Sequence, residues 1–537
     1  MQKRKDYSVW LPLAIAISTI VGIIVGNYIG NPLSSKDYSQ QRDRKLNTIL
    51  NLITQEYIDD ISTQDLIEMT VPHILSKLDP HSSYLSNEVA KANNLPNIGI
   101  NFQLVDDTIM ITEVLPGGPS DKAGLKPGDK IVTIGDSVFV GPHINSNKVR
   151  DKLRGAKGSK VKIGISRVGT SKQLDFVITR RNSPLKTVDS YYMIDKTTGY
   201  VKVSQFEKST LNEFVTALNS LKNEGAKRFI IDLRDNGGGD FNTAILMANE
   251  FLTAKTLIAT TQGRYRRDER TYRSDGYGRF QDQEIVVLID EFSASASEVF
   301  AGAIQDNDRG LIVGCRSFGK GLMQSAYDMS DKSMVILSVA NYYTPSGRCI
   351  QKPFHYGDSA YQNDILNRYS NGELYNKDSI KIDKSKIFET TTGRKVYGGG
   401  GIIPDIFVPR DTSSHSAYFA VVNAAGLIQE FSLKYFNAHK AELTKMDDYK
   451  QLLRNLPAND DLLNDFVRYA ANKGVPVRWY YIHQSQDLIT SMIKGFIARC
   501  VFGHSAYYPI VNRNDKTIEA ALKALNKHKA AFPITNY

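Results

Sequence analysis

The stretch Glu284–Asn307, EIVVLIDEFSASASEVFAGAIQDN, decides how the rest of the chain is read. Ile285 to Ile289 is an unbroken apolar run too short for a helix, and it reads as a strand buried on both faces. The run ends at Asp290, and a helix begins inside the serine run that follows. Outward from this point the same alternation recurs. YVKVSQF (200–206), RFIIDL (228–233) and GLIVGC (310–315) read as strands, while LNEFVTALNSLKNEG (211–225) and NTAILMANEFL (242–252) read as helices. Strands and helices in alternation predict an α/β core with helices covering a sheet, placed here at residues 182–411.

The flanks differ in character. Residues 31–95 read as short helices, with Leu46, Ile49, Leu50 and Ile53 at helical spacing, leading into the turn-rich LDPHSSYLS (78–86). Residues 96–181 hold short β-rich runs such as IMITEV, KIVTIG and KVKIGISRV between Gly and Pro turns, which predicts a small β-rich domain. Residues 412–537 read as mainly helical. DLITSMIKGFIARCVFG within them carries Lys494 and Arg499 and is expected to be amphipathic rather than spanning.

Bulk properties bound the function. At 537 residues the chain exceeds one compact core, and 41% hydrophobic with 23% charged residues is a globular composition. The formal charge of +10 comes from scattered Lys and Arg with no basic block, so a solvated surface is expected and no nucleic-acid partner. Three cysteines without a C-x-x-C pair argue against a zinc cluster, and nothing in the sequence calls for a metal or cofactor. Val9–Ile29 is an uncharged, mostly apolar run of 21 residues preceded by Lys3, Arg4 and Lys5. At about 1.5 Å per residue it is long enough for a hydrocarbon core. No A-x-A cleavage site follows. The expectation is a single-pass inner-membrane anchor at residues 9–30, with residues 1–8 cytoplasmic and the remainder periplasmic. Gly22, Gly26 and Gly30 share one helix face, a spacing compatible with a homo-oligomer through the membrane helix.

The chemistry is sought by elimination. There is no G-x-S-x-G elbow and no H-E-x-x-H helix. GCRSFGKG (314–321) nearly spells a phosphate loop, but Gly321 stands where Ser or Thr must hold the magnesium ion. Ser295 with Glu298 three residues on fits a capping box. The same turn also suits a nucleophile: alanines clear space around the hydroxyl, and the Ala296 amide opens a helix whose N-terminal field favours an oxyanion. The base in such a site is either one of nine histidines, none in a recognisable context, or a lysine made neutral by desolvation. Lys320, between two glycines on the loop leaving GLIVGC, is the lysine candidate, with Gln324 four residues on. The glycines of DLRDNGGGD (232–240) let backbone amides approach a ligand.

Taken together, LDPHSSYLS, NIGINF (97–102), LPGGPSDKAGLKPGDKIVTI (115–134), DLRDNGGG, SASASE (293–298), SFGKGLMQ (317–324), YTPSGR (343–348) and GIIPDIFVP (401–409) resemble the carboxyl-terminal processing peptidases, or tail-specific proteases. The resemblance runs from about residue 43 to 410, with order and spacing kept. It implies a PDZ domain at 96–181 and a serine peptidase core at 182–411, within a multidomain α/β chain. It assigns Ser295 as nucleophile, Lys320 as base and Gln324 as its orienter, with an oxyanion hole from Ala296, Gly238 and Gly239. The PDZ loop Gly99, Ile100, Asn101 and Phe102 is expected to take the free apolar C-termini of protein or peptide substrates. The chain departs from the family at Gly237, where proline is frequent, and in the stretch of about 45 residues between GRCIQ and GGGGIIPD. A catalytically silent PDZ scaffold that binds C-termini is the alternative, against which the intact Ser, Lys and Gln stand.

Overall fold

Central parallel strands can bury both faces only if helices or loops cover each side, and the apolar runs read above do this. A computed structural model describes residues 36–181, 186–354 and 360–527. The expected membrane anchor at 9–30 lies outside the described residues. Among the described residues no helix is long and apolar enough to cross a membrane.

The chain forms two compact units that divide between Ser76 and Lys77. The first contains the helices Lys36–Glu56 and Thr63–Leu75, the latter capped by the Ser62 side chain accepting from the Asp65 amide. The expected boundary of the N-terminal helical region at residue 95 therefore differs from the one found. Residues 77–95 belong to the second unit, because Ser83–Leu85 pairs antiparallel with Met334–Ile336 of the strand Met334–Tyr343. Strand pairing of this kind is a long-range contact with no local signature in LDPHSSYLS.

The second unit is built on a six-stranded sheet. Its order is Ile406–Phe407, Leu311–Gly314, Glu284–Ile289, Arg228–Asp232, Thr198–Val203 and Val188–Met193. All neighbours are parallel except the last pair. One face is covered by the helices Thr210–Asn223, Phe241–Asn249 and Ala296–Asp306, whose Phe214, Leu218, Ala244, Met247, Phe300 and Ile304 form the main core. The other face is covered from far away in sequence. Ile518, Ala521, Ala524 and Leu525 of the helix Lys516–Lys527 pack on Tyr200, Ile230, Val286 and Leu288. A second sheet joins Ser83–Leu85, Met334–Tyr343, Leu257–Gly263 and Arg270–Arg273, with Leu322–Asp328 also paired to Met334–Tyr343.

The β-rich domain is a sheet ordered Ile100–Val105, Thr108–Val114, Lys130–Ile134, Lys160–Ser166 and Leu174–Thr179 around Ile109, Ile111, Ile131, Ile163 and Ile165. The C-terminal helices contact both this domain and the α/β core. Arg499 pairs with Glu113 at 2.6 Å, and Lys434 and Lys473 converge on Asp106 at 2.6 and 2.8 Å. On the other side, the Ser190 hydroxyl donates to the Ser505 carbonyl and Arg234 pairs with Asp515. The helix Gln486–Phe502 buries Ile489, Ile493 and Ile497 in the C-terminal core.

Candidate active site

The strand Glu284–Ile289 delivers the serine turn to the C-terminal edge of the sheet. Ser295 adopts φ 55° and ψ −115°, a region non-glycine residues avoid. Such strain persists only where the surroundings impose it, and here they do. The Ala294 amide donates to the Asn236 carbonyl at 3.0 Å, and the Ser297 hydroxyl to the same oxygen at 2.9 Å. The Glu298 carboxylate accepts from the Ser295 amide at 2.8 Å. The Glu298 half of the expected capping box therefore forms at the serine that was also the nucleophile candidate.

The glycine loop explains its own composition. Gly238 has φ +100°, and a Cβ there would stand 2.8 Å from the Ser295 Cβ and 2.9 Å from the Ala296 nitrogen. The loop can lie against the serine turn only as glycine. The Gly238 amide itself donates to Asn236 Oδ1 at 2.9 Å, so it is already engaged. Gly239 is exposed beside it, with φ +137°. At Gly237 a Cβ would meet nothing within 4 Å.

Lys320 arrives on the loop after Leu311–Gly314, the parallel neighbour of the serine strand. The Phe318 amide donates to the Ser293 carbonyl at 3.0 Å. Glu298 then joins the two halves. Besides the Ser295 amide it accepts from the Ser317 hydroxyl at 2.5 Å, the Gly319 amide at 2.7 Å and the Lys320 amide at 2.9 Å. Tyr342 joins them a second time, its hydroxyl lying 3.1 Å from the Ser295 carbonyl oxygen and 2.9 Å from that of Lys320. Lys320 Nζ donates to Gln324 Oε1 at 2.9 Å, and Gln324 Nε2 donates to the His81 carbonyl at 2.7 Å.

The electrostatics suit a lysine that loses its proton. Burial lowers the Lys320 pKa below the usual lysine value, against the opposing pull of the Asp79 and Glu298 carboxylates. Burial pushes the Glu298 carboxyl up, opposed by its hydrogen bonds from Ser317 and the loop amides. The His81 imidazole falls to about 4, by burial first and the Lys320 charge second. Among the described residues no group of three or more His, Cys, Asp or Glu is placed to hold a metal ion.

The structure thus brings Ser295, Ala296, Gly238, Gly239, Lys320 and Gln324 to one place. Glu298, read in the sequence as a helix cap, and Tyr342 and His81, not singled out at all, are the residues sequence reasoning missed. The adjacency of SASASE and SFGKG in a parallel sheet was the one signal available for Glu298.

The expected tail-binding loop lies elsewhere, at the edge of the β-rich sheet. Gly99 has φ +76°, and its amide donates to Asn97 Oδ1 at 2.9 Å. Ile100–Val105 is the edge strand of that sheet, the position from which an added strand is taken up. Asn101 Nδ2 donates to Glu113 Oε2 at 3.0 Å.

Parts of the chain resemble known proteins. The chain matches the models of peptidase family S41 over residues 197–357, of a PDZ domain over 96–178, and of a family of unknown function over 418–503. The carboxy-terminal processing protease CtpB of Bacillus subtilis is 32% identical over 64% of this chain and 73% of its own length. The carboxy-terminal-processing protease of Bartonella bacilliformis is 32% identical over 57% of this chain and 72% of its own. A solved structure titled photosystem II D1 C-terminal processing protease is 24% identical, covers 68% of this chain and 92% of that one, and has a TM-score of 0.34. With its PDZ domain and its 32% identity to the Bacillus and Bartonella proteases along 73% and 72% of their length, the chain belongs to peptidase family S41, among the carboxy-terminal processing serine proteases.

Proposed function

We propose that this protein is an endopeptidase that cuts proteins near their C-terminal tails with a Ser–Lys pair. Ser295 Oγ attacks the scissile carbonyl while neutral Lys320 takes its proton. The resulting oxyanion accepts from the Ala296 amide and, since Gly238 is engaged by Asn236, from Gly239. Lys320 returns the proton to the leaving amine, and water then releases the acyl-enzyme with Lys320 again as base. Gln324 aims the amine. The observation that carries this reading is the double tie, through Glu298 and Tyr342, between a strained Ser295 and a half-buried Lys320.

Substrate tails would add to the edge strand Ile100–Val105 with their carboxylate at Gly99–Phe102. Residues 9–30 would anchor the chain in the inner membrane with the catalytic part in the periplasm, a reading that rests on the apolar run and the basic residues before it. Trapping with a serine-reactive phosphonate, followed by mass mapping, tests the enzyme. Label on the peptide carrying Ser295, absent in Ser295→Ala, supports it, whereas an unlabelled chain that still binds free C-termini would make it a scaffold.

A further inference from the structure

The long stretch between YTPSGR and GIIPDIFVP sends two side chains to the lysine loop. Tyr361, 6% exposed, closes over His81, with its hydroxyl 2.6 Å from His81 Nε2 and the rings edge-on at 5.5 Å between centroids. The carbonyl of that same His81 holds Gln324, which in turn holds Lys320 Nζ. Tyr361 therefore stands at the outer end of a chain of contacts that finishes on the base.

Arg368, on the helix Asp364–Ser370, is fully buried behind the loop. A guanidinium presents five donors in a rigid fork. Here it donates to three consecutive carbonyls ahead of Gly319, those of Arg316 at 3.2 Å, Ser317 at 2.8 Å and Phe318 at 3.1 Å, and pairs with Asp364 at 2.9 Å. Arg316 is gripped in turn by Glu373 through two bonds of 2.5 and 2.7 Å. Lys352 seals the remaining side. Its Nζ lies 3.8 Å over the Phe318 ring and 4.2 Å over Tyr361, paired with Asp364 at 2.9 Å. Backbone carbonyls held from behind fix the course of a loop whatever its side chains, and a glycine-flanked lysine needs such support.

We propose that the segment Tyr361–Glu373 is a brace for the general base, in which Tyr361 and Arg368 are positioning residues that keep Lys320 Nζ aimed and out of water. This rests on the Ser295–Lys320 reading. The groups facing Lys320 are Asp79, Glu298 and His81, with Lys352 and Tyr361 behind them. His81 at about 4 stays neutral and Tyr361, pushed up to about 12 by burial, keeps its proton, so their contact does not titrate at working pH. Loosening the brace lets water reach the amine, raises its pKa and moves the rise of activity to higher pH.

The test is the pH profile of kcat/KM for the full-length protein on a quenched-fluorescence peptide ending in a free carboxylate. Tyr361→Phe keeps the ring and removes only the hydroxyl. It should lower kcat about tenfold, leave KM nearly unchanged and move the midpoint upward by ~0.5–1 pH unit. Arg368→Lys, which keeps the charge and loses the fork, should move it the same way. Should Arg368→Lys not fold, Tyr361→Phe decides alone. A Tyr361→Phe protein with the parent kcat and midpoint overturns the brace, even if it melts earlier. Lys320→Ala is run beside them: if it keeps full turnover, the Ser–Lys reading has failed and the brace with it, whereas an inactive Lys320→Ala with an unaltered Tyr361→Phe rejects the brace alone.

Discussion

The turn that presents Ser295 and the loop that presents Lys320 sit on neighbouring parallel strands, yet they are held by different means. The serine turn is backed by its own sheet. It is fixed by Asn236 on the adjoining strand-to-helix turn, by a glycine packed against it and by the first turn of its own helix. The lysine loop has little local structure of its own. It is held by Glu298, Tyr342, Gln324 with His81, and Arg368, residues that stand 4 to 243 positions from their hydrogen-bond partners. In the proposed Ser–Lys mechanism the nucleophile needs a fixed direction, which a strained backbone supplies. A lysine base also needs to be dry, and dryness requires side chains gathered from many elements.

Breaking either half outright should have the largest effect. Ser295→Ala and Lys320→Ala should each lower kcat by ~10⁵-fold or more, and the double variant hardly further, because nucleophile and base act as one unit. Lys320→Arg should fail as badly, since arginine stays charged at any working pH. Single-turnover kinetics and phosphonate labelling measure this; a Ser295→Ala protein that is only destabilised, with turnover intact, would return the serine to the role of a helix cap.

The serine half can be probed at its packing. Gly238→Ala forces a methyl group into the Ser295 turn and strains a positive φ, so a fall in kcat of ~100-fold or more and a loss of about 1–3 kcal/mol in denaturant unfolding are expected. Gly237→Ala faces open space and should lie within about 0.5 kcal/mol of the parent. Equal effects at the two glycines would show that the loop is not packed on the serine as described.

The lysine half is sharpened by pH. Burial favours the neutral amine, so activity should rise with pH and reach half its maximum below the ordinary lysine pKa of about 10.4. Glu298→Gln keeps the size of the side chain but replaces one acceptor oxygen with a donor. It also removes a negative charge that holds the lysine pKa up. Activity at its optimum should fall ~10–100-fold while the midpoint moves to lower pH, opposite to the Tyr361→Phe shift. Gln324→Ala, which leaves the amine neutral but unaimed, should be milder, about tenfold in kcat.

The smallest effect belongs to the PDZ domain, distant from the chemistry. Amidating a substrate's C-terminal carboxylate should raise KM ~3–10-fold with kcat nearly unchanged, as expected for loss of a charge-assisted contact at an exposed groove. Equal processing of free and amidated tails would show that Gly99–Phe102 does not read the carboxylate.

By itself the sequence determined whatever is local or periodic. Buried strands announce themselves as unbroken apolar runs, so RFIIDL, EIVVLID and GLIVGC, and the helices after the first two, lie where their pattern placed them. The serine turn was legible because strand, small-residue turn and helix follow one another within Glu284–Asn307. The family motifs made Lys320 and Gln324 legible as well, though nothing local marked either. What only the tertiary structure decided is everything that closes the site from a distance. LDPHSSYLS leaves the N-terminal helices to become an edge strand of the second sheet, because its partner strand lies some 250 residues on. The helix Lys516–Lys527 covers the far face of the core sheet, because an α/β sheet left bare on one side would expose Tyr200, Ile230 and Leu288. Glu298 read as a cap and became the tie between two loops, since a carboxylate with four donors around it can be recognised only once those donors have been brought to it.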